Sequence, residues 1–66
     1  MKGEVKRIMD YRGYGFISSD DIDGDIFFHY TELKNINFNE LKVGHEVEFE
    51  IREDPRGPQA ENIMVI

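Results

Sequence analysis

Two short aromatic runs, RGYGF at residues 12–16 and IFFHY at residues 26–30, carry the side chains whose types and spacing suggest a chemistry. Side chains alternate between the two faces of a β-strand, so each run places two rings on one face. The rings expected to point away from the core are Tyr14, Phe16, Phe27 and His29. Exposed rings stack on nucleobases whatever the base sequence, because every base has a π-face. The two runs therefore indicate stacking on the bases of single-stranded nucleic acid.

Basic residues accompany these rings, and Lys6 and Arg12 are the two that we expect beside them. Such cations hold the phosphates of a strand whose bases stack on the rings. Gly13 and Gly15 interleave with the rings, and we expect them to keep the neighbouring backbone clear. Two alternative roles for the rings stay open, since large exposed apolar patches are often interfaces. The rings could form a second hydrophobic cluster covered by residues 31–44, or a dimer interface.

The alternation of side chains and the spacing of the glycines predict five strands. We expect them at residues 3–10, 14–19, 25–30, 45–52 and 59–66. In the first strand, Val5, Arg7 and Met9 alternate with Glu4, Lys6 and Ile8. The Asp-Gly pair at 23–24 predicts the hairpin turn between the second and third strands, because this dipeptide favours tight turns.

Residues 31–44 lack the sustained 3.6-residue period of a helix. Thr31 can cap one helical turn and Leu33 would pack inward, but Ile36 and the asparagines around it disfavour a longer helix. The fold class is therefore all-β. Five short strands favour a closed antiparallel Greek-key barrel, which leaves no exposed edge strand. The predicted core is Val5, Ile17, Ile26, Phe28, Leu33, Val47, Phe49, Ile51 and Ile63.

The chain has 66 residues, a formal net charge of −6 and no cysteine. This length predicts one domain, residues 1–66. The absence of cysteine fits a reducing compartment, and the longest apolar runs are too short for a membrane span or a signal peptide. We therefore expect a cytoplasmic monomer with no membrane or small-molecule partner. The acidic total opposes nucleic-acid binding, but the carboxylates concentrate in residues 20–25 and 46–54, so a basic face can lie on an acidic body.

Residues 12–17, RGYGFI, match the RNP1 pattern K/R-G-F/Y-G/A-F-V except for a final Ile, and Ser19 stands where the longer pattern has an aromatic residue. The RNP2-like run DIFFHY at 25–30 follows RNP1, whereas in RNA-recognition motifs it precedes RNP1 and two helices are needed. GEVK at the start, F..L..G..V.FE at 38–50 and RGPQAEN at 56–62 extend the likeness over nearly the whole chain. The sequence resembles the cold-shock domain, a small five-stranded OB-type barrel that binds single-stranded RNA and DNA.

The resemblance implies a role for each residue that matches a binding position of the family. The side chains that would stack on bases are Tyr14, Phe16, Phe27, His29, Tyr30 and Phe38. Those that would contact phosphates or base edges are Lys6, Arg12 and Arg56. Asp25 and Gln59 match positions that form polar contacts with bases in relatives. The implied activity is that of a nucleic-acid chaperone, which keeps strands unpaired without consuming ATP.

The first strand departs from the bacterial family pattern, Val-Lys-Trp-Phe-Asn, because residues 5–9 are Val-Lys-Arg-Ile-Met. The exposed tryptophan of the pattern is replaced by Arg7. A guanidinium plane can stack on a base and also neutralise a phosphate, so we expect Arg7 to replace the lost ring in part. The alternative is that the contact is lost and Arg7 is simply solvated.

Other kinds of site find little support. The acidic run 20–25 resembles the start of a calcium loop, but the first loop position falls on Ser19 and the last on Tyr30 rather than on Glu. His29 and His45 are far apart and form no zinc set, and no nucleophile–base pair is evident. We therefore expect no enzyme activity, metal or cofactor. The alternative functions are a protein-interaction OB module that uses its aromatic face, and a translation-factor-like OB domain that binds structured ribosomal RNA.

Overall fold

Five β-strands and two 3-10 turns follow one another in the computed structural model, which describes residues 1–66. The strands are β1 (Lys2–Met9), β2 (Tyr14–Ser19), β3 (Ile22–His29), β4 (Glu46–Asp54) and β5 (Gly57–Val65). The 3-10 turns are Tyr30–Glu32 and Phe38–Glu40, both within the long connection between β3 and β4. The all-β prediction is confirmed, and no helix in the structure has the length and hydropathy that spanning a membrane requires.

The strands form a closed barrel in the order β1-β2-β3-β5-β4, with β4 returning to pair with β1. Four of the five junctions are antiparallel ladders. The junction between β3 and β5 is parallel and contains the single registered pair Phe27 and Gln59. Closure leaves no strand edge for another chain to pair with, as we expected for so small a sheet.

The interior of the barrel is filled by nine apolar side chains that are almost completely buried: Val5, Ile17, Ile26, Phe28, Leu41, Val47, Phe49, Ala60 and Ile63. Two predicted core residues, Leu33 and Ile51, are instead half-buried and pack against this cluster. The prediction omitted Leu41 and Ala60. Leu41 ends the second 3-10 turn, within residues 31–44, where only Leu33 was predicted to pack inward.

Ala60 was not predicted as a core residue because the side-chain alternation along β5 is interrupted between Ala60 and Ile63. Asn62 has a φ of 50°, and the pairing with β4 shifts between Glu48 and Glu50. This irregularity places an extra residue in β5. Residues three apart, Ala60 and Ile63, therefore both face the core.

A similar irregularity in β1 overturns the alternation expected for residues 3–10. Val5 pairs with Ile17, but Arg7 pairs with Phe16, so Lys6 is an extra residue opposite the β2 ladder. Val5 faces the core, whereas Arg7 is exposed, and the two do not share a face as predicted. The bulge thus transfers the following residues of β1 from one face of the sheet to the other.

The hairpin between β2 and β3 exists, but its turn is not the predicted Asp-Gly pair. Ser19 pairs with Ile22, so the two turn residues are Asp20 and Asp21. The Ser19 hydroxyl accepts a hydrogen bond from the backbone N–H of Asp21 at 3.3 Å, which stabilises the earlier turn. Gly24 lies inside β3 with a φ of +84°, where its missing Cβ permits the local kink.

The connection from β3 to β4 begins with a short helical turn as expected, but Thr31 lies within that turn and does not cap it. His29 is the capping residue, and its Nδ1 atom accepts a hydrogen bond from the Thr31 backbone N–H at 3.4 Å. Farther along, the Asn35 side chain donates to the carbonyl of Val65 at 3.0 Å and accepts from its N–H at 2.9 Å. This two-way contact attaches the connection to β5.

Candidate nucleic-acid interface

Three neighbouring strands present side chains to one outer face of the barrel. Registered pairs lie side by side on a sheet face, and here Phe16 of β2 is flanked by Arg7 on β1 and Phe27 on β3. Tyr14 is likewise flanked by Met9 and His29. The set Tyr14, Phe16, Phe27 and His29 is called the aromatic platform below.

Three rings of the aromatic platform pack against one another. The ring centroids of Tyr14 and Phe27 are 5.2 Å apart, and that of Phe16 lies 5.9 Å from Tyr14 and 6.0 Å from Phe27. Both contacts of Phe16 are edge-to-face, a favourable arrangement for aromatic pairs. The three rings are half-buried, so they hold one another in place and still leave surface for a ligand.

The platform continues through two further rings that the sequence associated with it. The rings of His29 and Tyr30 are 4.6 Å apart, and Tyr30 lies 6.1 Å from Phe38. Tyr30 is 48% exposed, whereas Phe38 is half-buried and packs partly against the core. The six residues predicted to stack on bases therefore form two groups of three rings, Tyr14, Phe16 and Phe27 in one and His29, Tyr30 and Phe38 in the other, which meet where Tyr14 pairs with His29.

The glycines of RGYGF position these rings by leaving space for other rings. A Cβ on Gly15 would lie 2.5 Å from the Arg7 carbonyl oxygen and 2.8 Å from the ring of Phe28 in the core. A Cβ on Gly13, whose φ is +75°, would lie 2.9 Å from the ring of Tyr30. These glycines allow close approach within the protein, so their expected role of keeping the backbone clear for a ligand is not needed to account for them.

Charged groups around the platform are distributed unevenly. On the β1 side, Arg7 and Arg12 are exposed and form no salt bridge. Lys6 lies 3.8 Å from Asp25, an exposed pair that high dielectric keeps weak. The side chains able to neutralise phosphate are thus least compensated along β1 and the turn that follows it.

On the opposite side, the turn between β4 and β5 holds its arginine against a carboxylate. Arg56 donates from its backbone N–H to Asp54 at 3.0 Å and from Nε at 3.3 Å. The backbone hydrogen bond, followed by the side-chain one, lowers the pKa of Asp54 from its ordinary value of 3.8. Arg56 nevertheless remains 83% exposed, so its guanidinium can still reach a ligand.

A cleft of about 480 Å³ separates the aromatic platform from this turn. Its lining is Phe16, Phe27, His29, Arg56, Gly57, Pro58 and Gln59. Gln59 stands opposite Phe27 in the parallel junction, which is why residues so distant in sequence meet here. A planar group of the size of a nucleobase can enter such a cleft with one face on a ring and its edge near Gln59.

The sequence prediction did not include two residues that border this surface. Met9 pairs with Tyr14, and Pro58 lines the cleft. Met9 could have been identified only with knowledge of the bulge. Tyr11 is fully exposed in the turn beside Arg12 and contacts no ring of the platform.

Comparison with known proteins gives the same family throughout. The family model described as the "Cold-shock" DNA-binding domain matches residues 1–66. A cold shock-like protein of Thermotoga maritima is 44% identical over 66 residues, which are 100% of this chain and 98% of the relative. A cold shock-like protein of Aquifex aeolicus is 40% identical over 65 residues, 98% of this chain and 93% of the relative.

A further relative and a solved structure extend the comparison. Cold shock-like protein CspC of Escherichia coli is 38% identical over 66 residues, 100% of this chain and 96% of the relative. The structure of Drosophila Unr CSD456 superposes with a TM-score of 0.81 at 26% identity and covers 98% of this chain. The present chain spans 26% of that longer structure. The barrel described above is therefore the same fold as one with a solved structure.

Proposed function

The chain belongs to the cold-shock domain family, whose members bind nucleic acids, and we propose that it binds single-stranded RNA and DNA by stacking bases on its aromatic platform. In this proposal the whole of residues 1–66 acts as one domain and as a monomer. The stacking side chains are Tyr14, Phe16, Phe27, His29, Tyr30 and Phe38. The phosphate and base-edge contacts are Lys6, Arg7, Arg12, Arg56 and, in polar contact with bases, Asp25 and Gln59.

The proximity of the six rings supports the proposal more than any other feature. Ring centroids lie 5.2 to 6.0 Å apart within Tyr14, Phe16 and Phe27, and 4.6 and 6.1 Å apart along His29, Tyr30 and Phe38. The two groups meet where Tyr14 pairs with His29. Each base stacked on such a ring contributes about 1–3 kcal/mol, with little dependence on base identity. Two adjoining groups of rings can therefore hold several successive bases of a strand that has no fixed sequence.

The position of Arg7 supports the proposed contacts with phosphates and base edges. It stands beside Phe16 on the same face, at the place where the family pattern has a tryptophan. Its guanidinium can stack on a base and neutralise a phosphate at once. A cation beside the rings is important in an acidic protein, because the net charge of −6 repels the phosphate backbone of the ligand.

Binding of this kind would make the protein a nucleic-acid chaperone. A duplex buries the π-faces of its bases, so the platform binds only unpaired strands. A ligand that binds one state of an equilibrium shifts the equilibrium toward that state, here the unpaired strand. The proposal requires no ATP and assigns no catalytic residue.

The direct test is titration with a short pyrimidine-rich DNA oligomer, followed by intrinsic tyrosine fluorescence. The chain has no tryptophan, and Tyr14 and Tyr30 each belong to one of the two ring groups, so bound bases should quench the signal. We expect saturable quenching at low salt and a monomer in sedimentation. Absence of binding together with a stable dimer would instead favour the protein-interaction module, with the platform as its interface.

A further inference from the structure

A chain of three polar side chains leads from the outer face of β5 to the cleft. Arg52 on β4 pairs with Gln59 on β5, and its Nη2 atom donates to the Gln59 Oε1 atom at 2.5 Å. The Nη1 atom of the same guanidinium lies 3.5 Å from a carboxylate oxygen of Glu61. Glu61 and Gln59 are two residues apart on β5, so Arg52 bridges neighbouring side chains of one strand face.

This contact fixes which end of the Gln59 amide is occupied. A guanidinium has only N–H donors, so only the carbonyl oxygen of an amide can face it. The amide Nε2 atom forms no hydrogen bond within the chain. The oxygen and the nitrogen of an amide lie on opposite sides of one carbon, so an oxygen held at Arg52 leaves the N–H donors directed away from Arg52 and available to a ligand.

The location of Gln59 determines which part of a ligand its N–H donors can reach. Gln59 lines the cleft with Phe16, Phe27 and His29, and it pairs with Phe27 across the parallel junction. A base stacked on Phe27 would bring its edge to the amide. Arg52 is absent from the cleft lining and reaches the base only through Gln59.

We propose that Arg52 is a positioning residue that holds Gln59 as a hydrogen-bond donor toward the base in the cleft, so that this position prefers keto bases to amino bases. The inference rests on the proposed function and concerns one base position within it. Thymine, uracil and guanine carry an exocyclic carbonyl acceptor where cytosine and adenine carry an amino donor. A freely rotating amide could serve either kind of base, whereas an amide whose oxygen is held at Arg52 presents its N–H donors and so favours a carbonyl over an amino group.

The test compares oligodeoxyuridine with oligodeoxycytidine of equal length at neutral pH, because neither base has a C5 methyl group and the two differ in the carbonyl or amino group at position 4 and in the N3 proton that accompanies it. We expect the wild-type protein to bind oligodeoxyuridine about two- to tenfold more tightly, the range that one net hydrogen bond gives. In Arg52→Ala the ratio should approach one, because the amide is released. In Gln59→Glu, which presents acceptors instead of donors, the ratio should invert.

The matched control is Lys42→Ala, which removes the same charge from an exposed residue outside the cleft. Lys42→Ala should weaken binding of both oligomers equally and leave the ratio of the two affinities unchanged. Arg52→Lys should keep part of the preference that Arg52→Ala loses. The assignment of Arg52 would be overturned if the wild-type protein bound both oligomers with equal affinity. It would also be overturned if Arg52→Ala still bound both oligomers and left the ratio of the two affinities unchanged. Loss of all oligonucleotide binding in the wild-type protein would instead refute the proposed function itself, and the assignment with it.

Discussion

Arg7 and Phe16 lie side by side on the outer face of the barrel because Lys6 is an extra residue in β1. Without that bulge the alternation that buries Val5 would bury Arg7 as well. The cation reaches the platform through backbone geometry that no side-chain pattern reveals. Arg7 is therefore the cation whose removal most directly probes this face.

Arg7→Ala should weaken oligonucleotide binding and also flatten its salt dependence. Each phosphate contact on a single strand contributes about −0.7 to the slope of log affinity against log salt concentration, so loss of one contact removes about that much. The measurement is a set of titrations at several salt concentrations. Lys34→Ala, which removes a cation from the connection after β3, is the control. Unchanged affinity and slope in Arg7→Ala would mean that Arg7 is merely solvated.

The wild-type protein should show a shallow salt dependence overall. Three or four phosphate contacts give a slope of about −2 to −3 for a single strand. The physical reason is that stacking, which does not depend on net charge, supplies most of the affinity. A slope of about −6 or steeper would contradict binding led by the rings.

Phe16→Ala and Phe27→Ala should each weaken binding by about 1–3 kcal/mol, the contribution of one stacked base. Fluorescence titration measures the loss, and thermal unfolding checks that the barrel persists. Tyr11→Ala is the control, because this ring is exposed but contacts no other ring of the platform. If neither phenylalanine matters, the platform is not the binding surface.

Gly15→Ala should destabilise the fold by about 1–3 kcal/mol, the usual cost of overpacking. Its added methyl group meets a backbone oxygen at 2.5 Å and the buried ring of Phe28 at 2.8 Å, and neither can move away easily. Gly24→Ala separates steric crowding from backbone strain, since a Cβ there meets nothing within 4 Å although φ is +84°. Chemical denaturation should give the larger loss for Gly15→Ala.

Asp54 should make stability depend on acid pH. Its pKa is lowered in the folded protein by the hydrogen bonds from Arg56, so its contribution is present above the unfolded pKa and is lost as the pH falls through the folded value. Denaturation at neutral pH and at about pH 3 should therefore show a smaller pH-dependent loss for Asp54→Asn than for the wild type. Asp23→Asn, at an exposed carboxylate without a salt bridge, should retain the wild-type dependence.

The strands could be predicted from the sequence because they depend on local alternation, and the closed barrel because five short strands in an open sheet would leave edges exposed. The alternation in β4 is the clearest case: Val47 and Phe49 are buried while Glu46, Glu48 and Glu50 are exposed, as expected. The outward direction of the platform rings followed from the same rule. Their use in binding stays a prediction.

The sequence could not predict the places where the alternation of side chains between the two strand faces fails. The bulges at Lys6 and near Asn62 each add one residue. No local propensity marks Lys6, and the tolerance of asparagine for positive φ is too general to locate the second bulge. The hairpin turn lies at Asp20 and Asp21, not at the predicted Asp23 and Gly24, because the Ser19 side chain stabilises the earlier pair. The Arg52–Gln59 contact requires the register of β4 against β5, which is a tertiary property.

The junction of β3 and β5 has a consequence for how the barrel opens. Phe27 and Gln59 are its only registered strand pair, with Leu33 and Ile63 forming an isolated bridge nearby. Few hydrogen bonds must break to part the two strands there, so backbone amides at this junction should exchange with solvent earlier than those of the long ladders. A base held between Phe27 and Gln59 would touch both strands and thereby stabilise the closed state. Ligand affinity and barrel integrity would then be thermodynamically linked at one point.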